Sequence, residues 1–362
     1  MTANATDSDW ALVVGVSRYP DRDFGDLSGP ELDAQGFYDW VTSPTGGGIT
    51  KKSHVKLILS SQFKPFKSPV SAKPTVESIQ RFFEELGEEA KKNEAHDLGR
   101  KVGRRLYIYF GGHGFAPTED ETALLTANAT ADFLHHIPGK AWANLFYRGL
   151  YFDEILLFMD CCRVTLLKTP PNEPRLKVPP NPEARDKGKR LFAFACGPGR
   201  TARERVMKDG KSRGVFTTAL LEGLRGGASN PFTKSIAASD LRGYLLNNMK
   251  NYLAPEDLTN KNIPTEPVIE PPAGEDKDFE IVKASPIEYP VKIVLPELER
   301  GKTVNVRWGK LPFEIVKTTQ ATPPEWNLTA PVGQYIVEIV NGPSMKPLTV
   351  NAVRGGDDVR FD

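Results

Sequence analysis

The sequence predicts an α/β fold, a mostly parallel sheet flanked by helices, with a small all-β domain behind it. Three observations predict it. Short apolar runs alternate with helical stretches over residues 8–283, the order of strands and crossover helices in a parallel sheet. Several runs are apolar at consecutive rather than alternate positions, as strands covered on both faces are. Beyond residue 286 short strand candidates follow one another with no helical stretch among them, which reads as a small β-sandwich over residues 287–362.

The first run, Trp10-Ala-Leu-Val-Val-Gly-Val-Ser17, ends in turn residues, and a helix is expected over residues 30–40. Residues 55–60 supply a second strand. Pro74-Thr75 then open a helix in which Val76, Ile79, Phe82, Phe83 and Leu86 share one face, and Pro74 suits a helix start because its missing N–H has no partner to lose there. Residues 105–110, 154–159 and 190–195 are the third to fifth strands, followed by a helix over 216–224. Residues 165–189 turn abruptly to Pro, Lys, Asn and Glu. So few apolar groups cannot offset the entropy of ordering, and an exposed loop is expected. A Pro-rich stretch over 263–274 precedes Asp278-Phe-Glu-Ile-Val282, read as a last strand of the same sheet. In the all-β part the candidates are residues 291–295, 304–308, 313–316, 335–340 and 348–353.

Composition narrows the function. The 362 residues are 39% hydrophobic and 26% charged, with a net charge of +1. Such a chain buries a core without staples and carries no electrostatic footprint for nucleic acid or a membrane surface. No apolar run approaches the ~20 residues that span a bilayer, and the first ten residues lack the basic and apolar regions of a secretion signal. Three cysteines, two of them adjacent at Cys161 and Cys162, form no disulfide framework and argue for a reducing, cytoplasmic setting. No spacing of Cys and His matches a zinc pattern, so no metal is expected.

Two segments carry the chemistry. Phe110-Gly-Gly-His113-Gly114 and Phe158-Met-Asp160-Cys161-Cys162-Arg163 each follow an apolar strand. Residues just past the carboxyl ends of parallel strands line the ligand crevice, so His113 and Cys162 are expected to be neighbours. Glycine on both sides of His113 lets backbone approach a substrate. A thiol is a useful nucleophile only as thiolate, and an unperturbed pKa of ~8.5 leaves a few per cent ionised at neutral pH. An imidazole beside it takes the proton and later returns it to a leaving amine. The backbone N–H groups of Gly114 and Cys162 are candidate donors to the oxyanion. These parts describe acyl transfer through a thioester. Cys196, after a buried strand, reads as inert core; His54, His96, His135 and His136 read as surface or helix residues.

On these residues the sequence resembles the caspase and metacaspase superfamily, in its bacterial peptidase C14-like form. His113 precedes Cys162 by 49 positions, and the caspase signature has its His about fifty residues upstream of its Cys. Gly29-Pro-Glu-Leu-Asp33-Ala34 resembles the segment that opens the family's first helix. Ala202-Arg-Glu204 and Gly214-Val-Phe-Thr-Thr-Ala-Leu-Leu-Glu-Gly-Leu224 resemble elements after the catalytic strand, and residues 264–282 the closing segment of bacterial members. The likeness covers about residues 8–283. It implies a caspase-hemoglobinase-like fold and a cysteine endopeptidase acting on proteins or peptides. It also implies His113 as general base, Gly114 as oxyanion-hole glycine and Cys162 as nucleophile. Cys161 takes the variable place within Asp-x-Cys, so an ordinary small residue is expected there.

The departures bear on specificity. Animal caspases have Gln where Asp160 stands and read substrate Asp with arginines, one of which Leu27 replaces. In metacaspases the equivalents of Asp33 and Asp160 form an acidic S1 pocket. Two carboxylates in a partly dry pocket favour Arg or Lys by charge-assisted hydrogen bonds, so cleavage after basic residues is expected, although Lys208 lies near another pocket arginine of caspases. Residues 165–189 fall where caspases are cut between subunits and contain Lys168, Arg175, Lys177, Arg185 and Lys187, so self-cleavage is expected there. Asn327-Leu-Thr-Ala-Pro-Val-Gly-Gln-Tyr-Ile-Val-Glu-Ile339 is similar to the edge of prealbumin- or PEGA-like sandwiches, domains that bind an activating partner or a small signal molecule. Bacterial relatives suggest a role in stress, cell death or phage defence. Many metacaspases need calcium, and no ligand cluster in the sequence decides that point. The competing reading is a catalytically silent caspase-like scaffold.

Overall fold

The computed structural model describes residues 5–165, 172–207, 209–270, 277–309, 313–343, 345–353 and 355–361. Two compact units emerge, residues 1–221 with 253–279 and residues 222–252 with 280–362. In chain order the elements are β1 (Trp10–Gly15), α1 (Pro30–Thr42), β2 (Val55–Leu59), α2 (Val76–Ala95), β3 (Gly103–Gly112), β4 (Gly114–Ala116), β5 (Ala123–Leu125), β6 (His136–Pro138), α3 (Gly139–Gly149) and β7 (Phe152–Cys161). Next come β8 (Val164–Thr165), α4 (Ala184–Lys187), β9 (Lys189–Phe194), β10 (Glu204–Val206), β11 (Ser212–Gly214) and α5 (Val215–Glu222). The second unit takes β12 (Ser235–Ala237) and α6 (Ala238–Asn248), and the first resumes with β13 (Val268–Glu270).

The first unit is built on a six-stranded sheet in the order β13-β9-β7-β3-β1-β2. All neighbours are parallel except the edge strand β13, which runs antiparallel to β9. The unbroken apolar runs are explained by β3, whose successive side chains point to opposite faces. Leu106, Ile108 and Phe110 enter a buried cluster with Phe82, Phe83, Trp142 and Phe146 of α2 and α3. Tyr107 and Tyr109 meet α1 on the other face, where Phe37 stacks on Tyr109 at 5.0 Å and Trp40 meets Tyr107 edge-on. Helix α2 starts at Val76, two residues beyond Pro74. Thr75 is its N-cap and accepts from Ser78 N–H, so its hydroxyl satisfies one of the first-turn donors and Pro74 stands outside the helix.

The expected last strand is a correction. Residues 280–283 form β14 (Glu280–Lys283), which pairs antiparallel with β12, and the sheet's final strand is instead β13. Val268-Ile-Glu270 was hidden in a Pro-rich stretch because an edge strand needs few residues and tolerates flanking prolines.

Beyond it lie β15 (Glu288–Val294), β16 (Thr303–Trp308), β17 (Ile315–Gln320), β18 (Glu325–Pro331), β19 (Gly333–Ile339), β20 (Lys346–Asn351), β21 (Gly355–Gly356) and β22 (Val359–Arg360). They make a three-stranded sheet, β18-β15-β22, and a five-stranded one, β17-β16-β19-β20-β21. Val291, Ile293, Val304, Val306, Val337 and Val350 from both sheets share one buried cluster. Strand β18 was not among the sequence candidates, because only Ala330 and Pro331 of its seven residues are buried.

In the stretch expected to be an exposed loop, Arg175, Lys177, Arg185 and Lys187 are exposed while Leu176 and Val178 are half-buried and pack on the core. Leu176 fills the space a side chain on Gly87 would need, and Val178 the space beside Gly149. Lys168 and Lys208 lie outside the described residues. His136 is buried, not superficial. Its Nδ1 donates to the Leu134 carbonyl at 2.5 Å, and its Nε2 accepts from Asn172 N–H at 3.1 Å. No helix among the described residues is long and apolar enough to cross a membrane.

Candidate active site

The register of two strands brings the reactive pair together. β3 and β7 run parallel with Gly112 opposite Cys161, so His113 and Cys162 are the next positions on chains about 4.8 Å apart. Both line one cavity of about 80 Å³, together with Asp33, Asp160, Glu204 and Gly214. Gly112 has φ +150°, and a Cβ there would press on the Tyr19 hydroxyl at 2.7 Å and the Val16 carbonyl at 3.0 Å. Only glycine suits that bend.

His113 is oriented by a loop of residues 17–27. Leu27 N–H donates to Ser17 carbonyl at 2.9 Å and Tyr19 N–H to Asp26 Oδ1 at 2.8 Å, which folds the loop back on itself. It delivers the Gly25 carbonyl to within 2.7 Å of His113 Nε2. A carbonyl oxygen only accepts, so Nε2 carries the proton and the lone pair of the neutral ring lies on Nδ1. The Tyr19 ring lies 4.6 Å from the imidazole, and its hydroxyl accepts from His113 N–H at 2.9 Å.

The Gly114 backbone has a definite direction as well. Leu125 N–H donates to the His113 carbonyl at 2.9 Å, and Gly114 stands opposite Leu124. Backbone groups alternate sides along a strand, so the Gly114 N–H turns away from β5 toward the side of β8. A Cβ on Gly114 would sit 2.8 Å from Cys161 Sγ. Cys161 is therefore buried packing beneath that glycine. Cys196 is buried too, its thiol directed at the carbonyls of Cys161 and Arg200 at 3.5 and 3.3 Å.

Cys162 is half-buried and unbridged. Burial pushes its thiol above the ordinary value, the Ala202 N–H pulls it back, and the charges of Asp160 and Glu204 push it further up. The resting group is a neutral thiol.

Asp33 and Asp160 are 3% and 9% exposed. Gly214 N–H donates to Asp33 Oδ2 at 2.7 Å; Thr217 donates twice to Asp160 Oδ2, from its backbone at 3.1 Å and its hydroxyl at 2.6 Å. Asp33 Oδ1 is buried with no hydrogen-bond partner. Burial raises Asp33 to about 8, with the neighbouring Asp160 charge the next cause, and burial raises Asp160 to about 6. Asp33 thus holds a proton at neutral pH while the cavity is empty, beside an Asp160 that is mostly ionised, and a cation would displace that proton. A side chain on Gly214 would collide with Asp160 Oδ2.

Of the residues singled out from sequence, Leu27, Asp33, His113, Asp160 and Cys162 line this cavity and Gly114 follows His113 beside it. Sequence reasoning missed the Gly25 carbonyl, Tyr19, Thr217 and Glu204. Gly25 acts through backbone and leaves no signature, whereas Glu204 stood within the Ala202-Arg-Glu204 motif without an assigned role. Among the described residues no three His, Cys, Asp or Glu groups gather as metal ligands.

A His and a Cys at the ends of neighbouring parallel strands are what nucleophilic acyl transfer by a thiol needs. The caspase-domain family model matches residues 8–266, well over half of the chain, and the chain belongs to that family. A probable protease of a Desulfuromonadales bacterium is 29% identical over 238 residues, covering 60% of this chain and 26% of that protein. The chain therefore spans about a quarter of that relative's length. Among solved structures, caspase-1 of Spodoptera frugiperda matches 75% of this chain and 90% of its own, at 14% identity and a TM-score of 0.44. A Geobacter sulfurreducens protein matches 77% and 97%, at 14% identity and a TM-score of 0.40.

Proposed function

We propose that this peptidase is an endopeptidase that cleaves after Arg or Lys through a His113–Cys162 dyad and a thioester intermediate. The observation that carries the reading is one cavity lined by His113, Cys162 and two buried carboxyls, Asp33 and Asp160. Cys162 Sγ attacks the scissile carbonyl carbon and its proton passes to His113 Nδ1. The Nε2–H bond to Gly25 strengthens as the ring becomes a cation. The N–H groups of Gly114 and Cys162 meet the oxyanion. His113 then protonates the leaving amine as the C–N bond breaks, and water releases the thioester.

The P1 cation enters between Asp33 and Asp160, whose unpartnered Oδ1 on Asp33 gains a donor it lacks in the empty cavity. Fluorogenic peptides differing only at P1 (Arg, Lys, Asp, Asn) test this, with and without calcium because the family resemblance leaves that dependence open. Hydrolysis after Arg or Lys at least about 100-fold faster than after Asn is expected from a buried charge pair; preference for Asp would overturn the pocket assignment.

The reading extends to a cytoplasmic, metacaspase-like protein of bacterial stress, cell death or phage defence. Its support is the family resemblance and three free thiols, which suit a reducing compartment. Regulation by a partner or small signal molecule draws support from a cleft of about 410 Å³ inside the second unit, lined by Asp240, Tyr244, Asn247, Trp308, Gln334 and Asn351. That volume is in the range of ligand sites. The space beside Gly243 is open, so Gly243→Phe fills the cleft. Cell lysate that raises wild-type hydrolysis should leave this variant unchanged; equal activation would remove the cleft from the account.

A further inference from the structure

We propose that the cleft of the second unit binds a neutral saccharide, with a sugar ring packed on Trp308 and surrounded by side-chain amides. The inference rests on the reading of that cleft as the regulatory site and names the ligand which that reading leaves open.

The cleft of about 410 Å³ is walled by the loop of residues 227–230, by α6 and by the ends of β16, β19 and β20, all within the second unit. Its charges narrow the ligand. Among the described residues of the lining, Asp240 is the one carboxylate and Lys250 the one cation. Asp240 Oδ2 accepts from Ala237 N–H at 3.1 Å, the cap that starts α6. A phosphate would meet a single exposed lysine, where anion sites gather several charged or backbone donors. The lining therefore suits an uncharged ligand.

Its polar character is mostly amide. Asn248 is committed to the fold: its Nδ2 donates to the Tyr244 carbonyl at 3.0 Å and its Oδ1 accepts from Ala352 N–H at 3.0 Å, which ties α6 to the residue after β20. Four other amides of the lining keep groups for a ligand. Asn247 donates to the Gly243 carbonyl at 2.7 Å and leaves its Oδ1. Asn230 Oδ1 accepts from Phe232 N–H at 2.9 Å and leaves its Nδ2. Gln334 and Asn351 make no side-chain hydrogen bond among the described residues. An amide sets a donor beside an acceptor, the match for neighbouring hydroxyls, each of which gives and takes a hydrogen bond. These four stand on three walls, loop, helix and sheet, so they suit polar groups that radiate around a ring as sugar hydroxyls do. A nucleobase is read along one or two edges. The apolar wall is Trp308, half-buried and braced edge-on by Tyr335 at 5.1 Å and Phe232 at 6.3 Å. A side chain on Gly333 would begin 2.6 Å from the indole, so glycine there admits it. The C–H face of a sugar ring meets the negative face of an indole as the positive edge of another aromatic does.

The test titrates the full chain with neutral saccharides (glucose, galactose, mannose, N-acetylglucosamine, maltose, cellobiose, lactose and diacetylchitobiose), with adenosine and AMP alongside, and reads binding by saturation-transfer NMR. Wild type should bind at least one saccharide with a Kd below about 1 mM, and neither adenosine nor AMP. Gly243→Phe should abolish that binding, and Gln334→Ala should weaken it about 5–10-fold. Gln334 is exposed, so its truncation keeps the fold, which matched melting curves check. Silence from the whole panel would overturn the inference, as would binding unchanged in both variants, or adenosine or AMP taking the cleft in place of sugar. The regulatory reading fails separately. Lysate activation lost in Gly243→Phe with no saccharide bound by wild type keeps the cleft as regulatory and removes the sugar. Saccharide binding that Gly243→Phe abolishes, with peptide hydrolysis unchanged by the sugar, keeps the sugar site and removes its regulatory role.

Discussion

Cys162→Ala should lose at least about 10³-fold in peptide hydrolysis while melting within a few degrees of wild type. The side chain is small and half-buried just past the end of β7, so truncation is cheap for the fold and ruinous for acyl transfer. His113→Ala should fall to a similar floor, and the double variant no further, because the two act as one unit. The neighbouring thiol separates chemistry from packing. Cys161 is buried beneath Gly114, so Cys161→Ala should cost about 1 kcal/mol of stability and leave kcat within a few-fold. An equal loss of activity at Cys161 would mean that the nucleophile has been misassigned. The same pair of proteins reports on self-cleavage by intact mass. Fragments ending at exposed Arg175, Lys177, Arg185 or Lys187 are expected in wild type alone, and one full-length species in both would exclude it. In cells, equal survival of phage challenge by wild type and Cys162→Ala would remove the defence role.

Much of this was legible in the sequence because the strongest signals are local. The inner parallel strands β1, β3, β7 and β9 announce themselves as apolar runs, since a strand covered on both faces has no polar side to show. Strand edges and antiparallel additions are different. Residues 280–283 look like another core strand, yet Ile281 and Val282 are buried between exposed Glu280 and Lys283 in a two-stranded pair with β12; pattern reports burial but not partner. His113 and Cys162 stand out by side-chain type at strand ends, whereas Asp33 and Asp160 are pointed to by the family resemblance. The groups that tune them were found by neither. Gly25 contributes a carbonyl from a loop whose closure depends on Asp26 and Ser17, and any residue type supplies a carbonyl. Thr217 sits 57 positions from Asp160, a distance at which no spacing rule connects a hydroxyl to its acceptor.

Asp33→Asn and Asp160→Asn should each lower kcat/KM on P1-Arg peptides about 100-fold or more, the scale for removing one partner of a buried charge pair, and should flatten the pH dependence of KM. The sign follows from the direction of both shifts. Burial raises Asp33 to about 8 and Asp160 to about 6, so the empty pocket holds protons that a P1 cation must displace. KM for Arg peptides should therefore fall as pH rises from 6 to 8, by up to about tenfold per unit while one proton is exchanged, and level off above 8. Stability runs the other way. The folded chain keeps protons that an unfolded aspartate releases near pH 4, so this contribution is greatest below that point and is lost as pH rises toward 8. The melting temperature of the free enzyme should drop over that window, and less so in Asp33→Asn. Asp9, raised to about 6, and Glu121, raised to about 7, add slope of the same sign from elsewhere in the fold, so the variant reduces the slope without abolishing it. Burial, and after it the charges of Asp160 and Glu204, hold the Cys162 thiol protonated. A basic P1 side chain that neutralises them thus eases ionisation of the nucleophile as it binds, whereas a neutral one gains neither effect. Preference for Arg should accordingly appear in kcat as well as KM. A KM for Arg peptides that stays flat from pH 6 to 8.5, or a pH profile untouched by Asp33→Asn, would show that the acid pair does not receive the substrate.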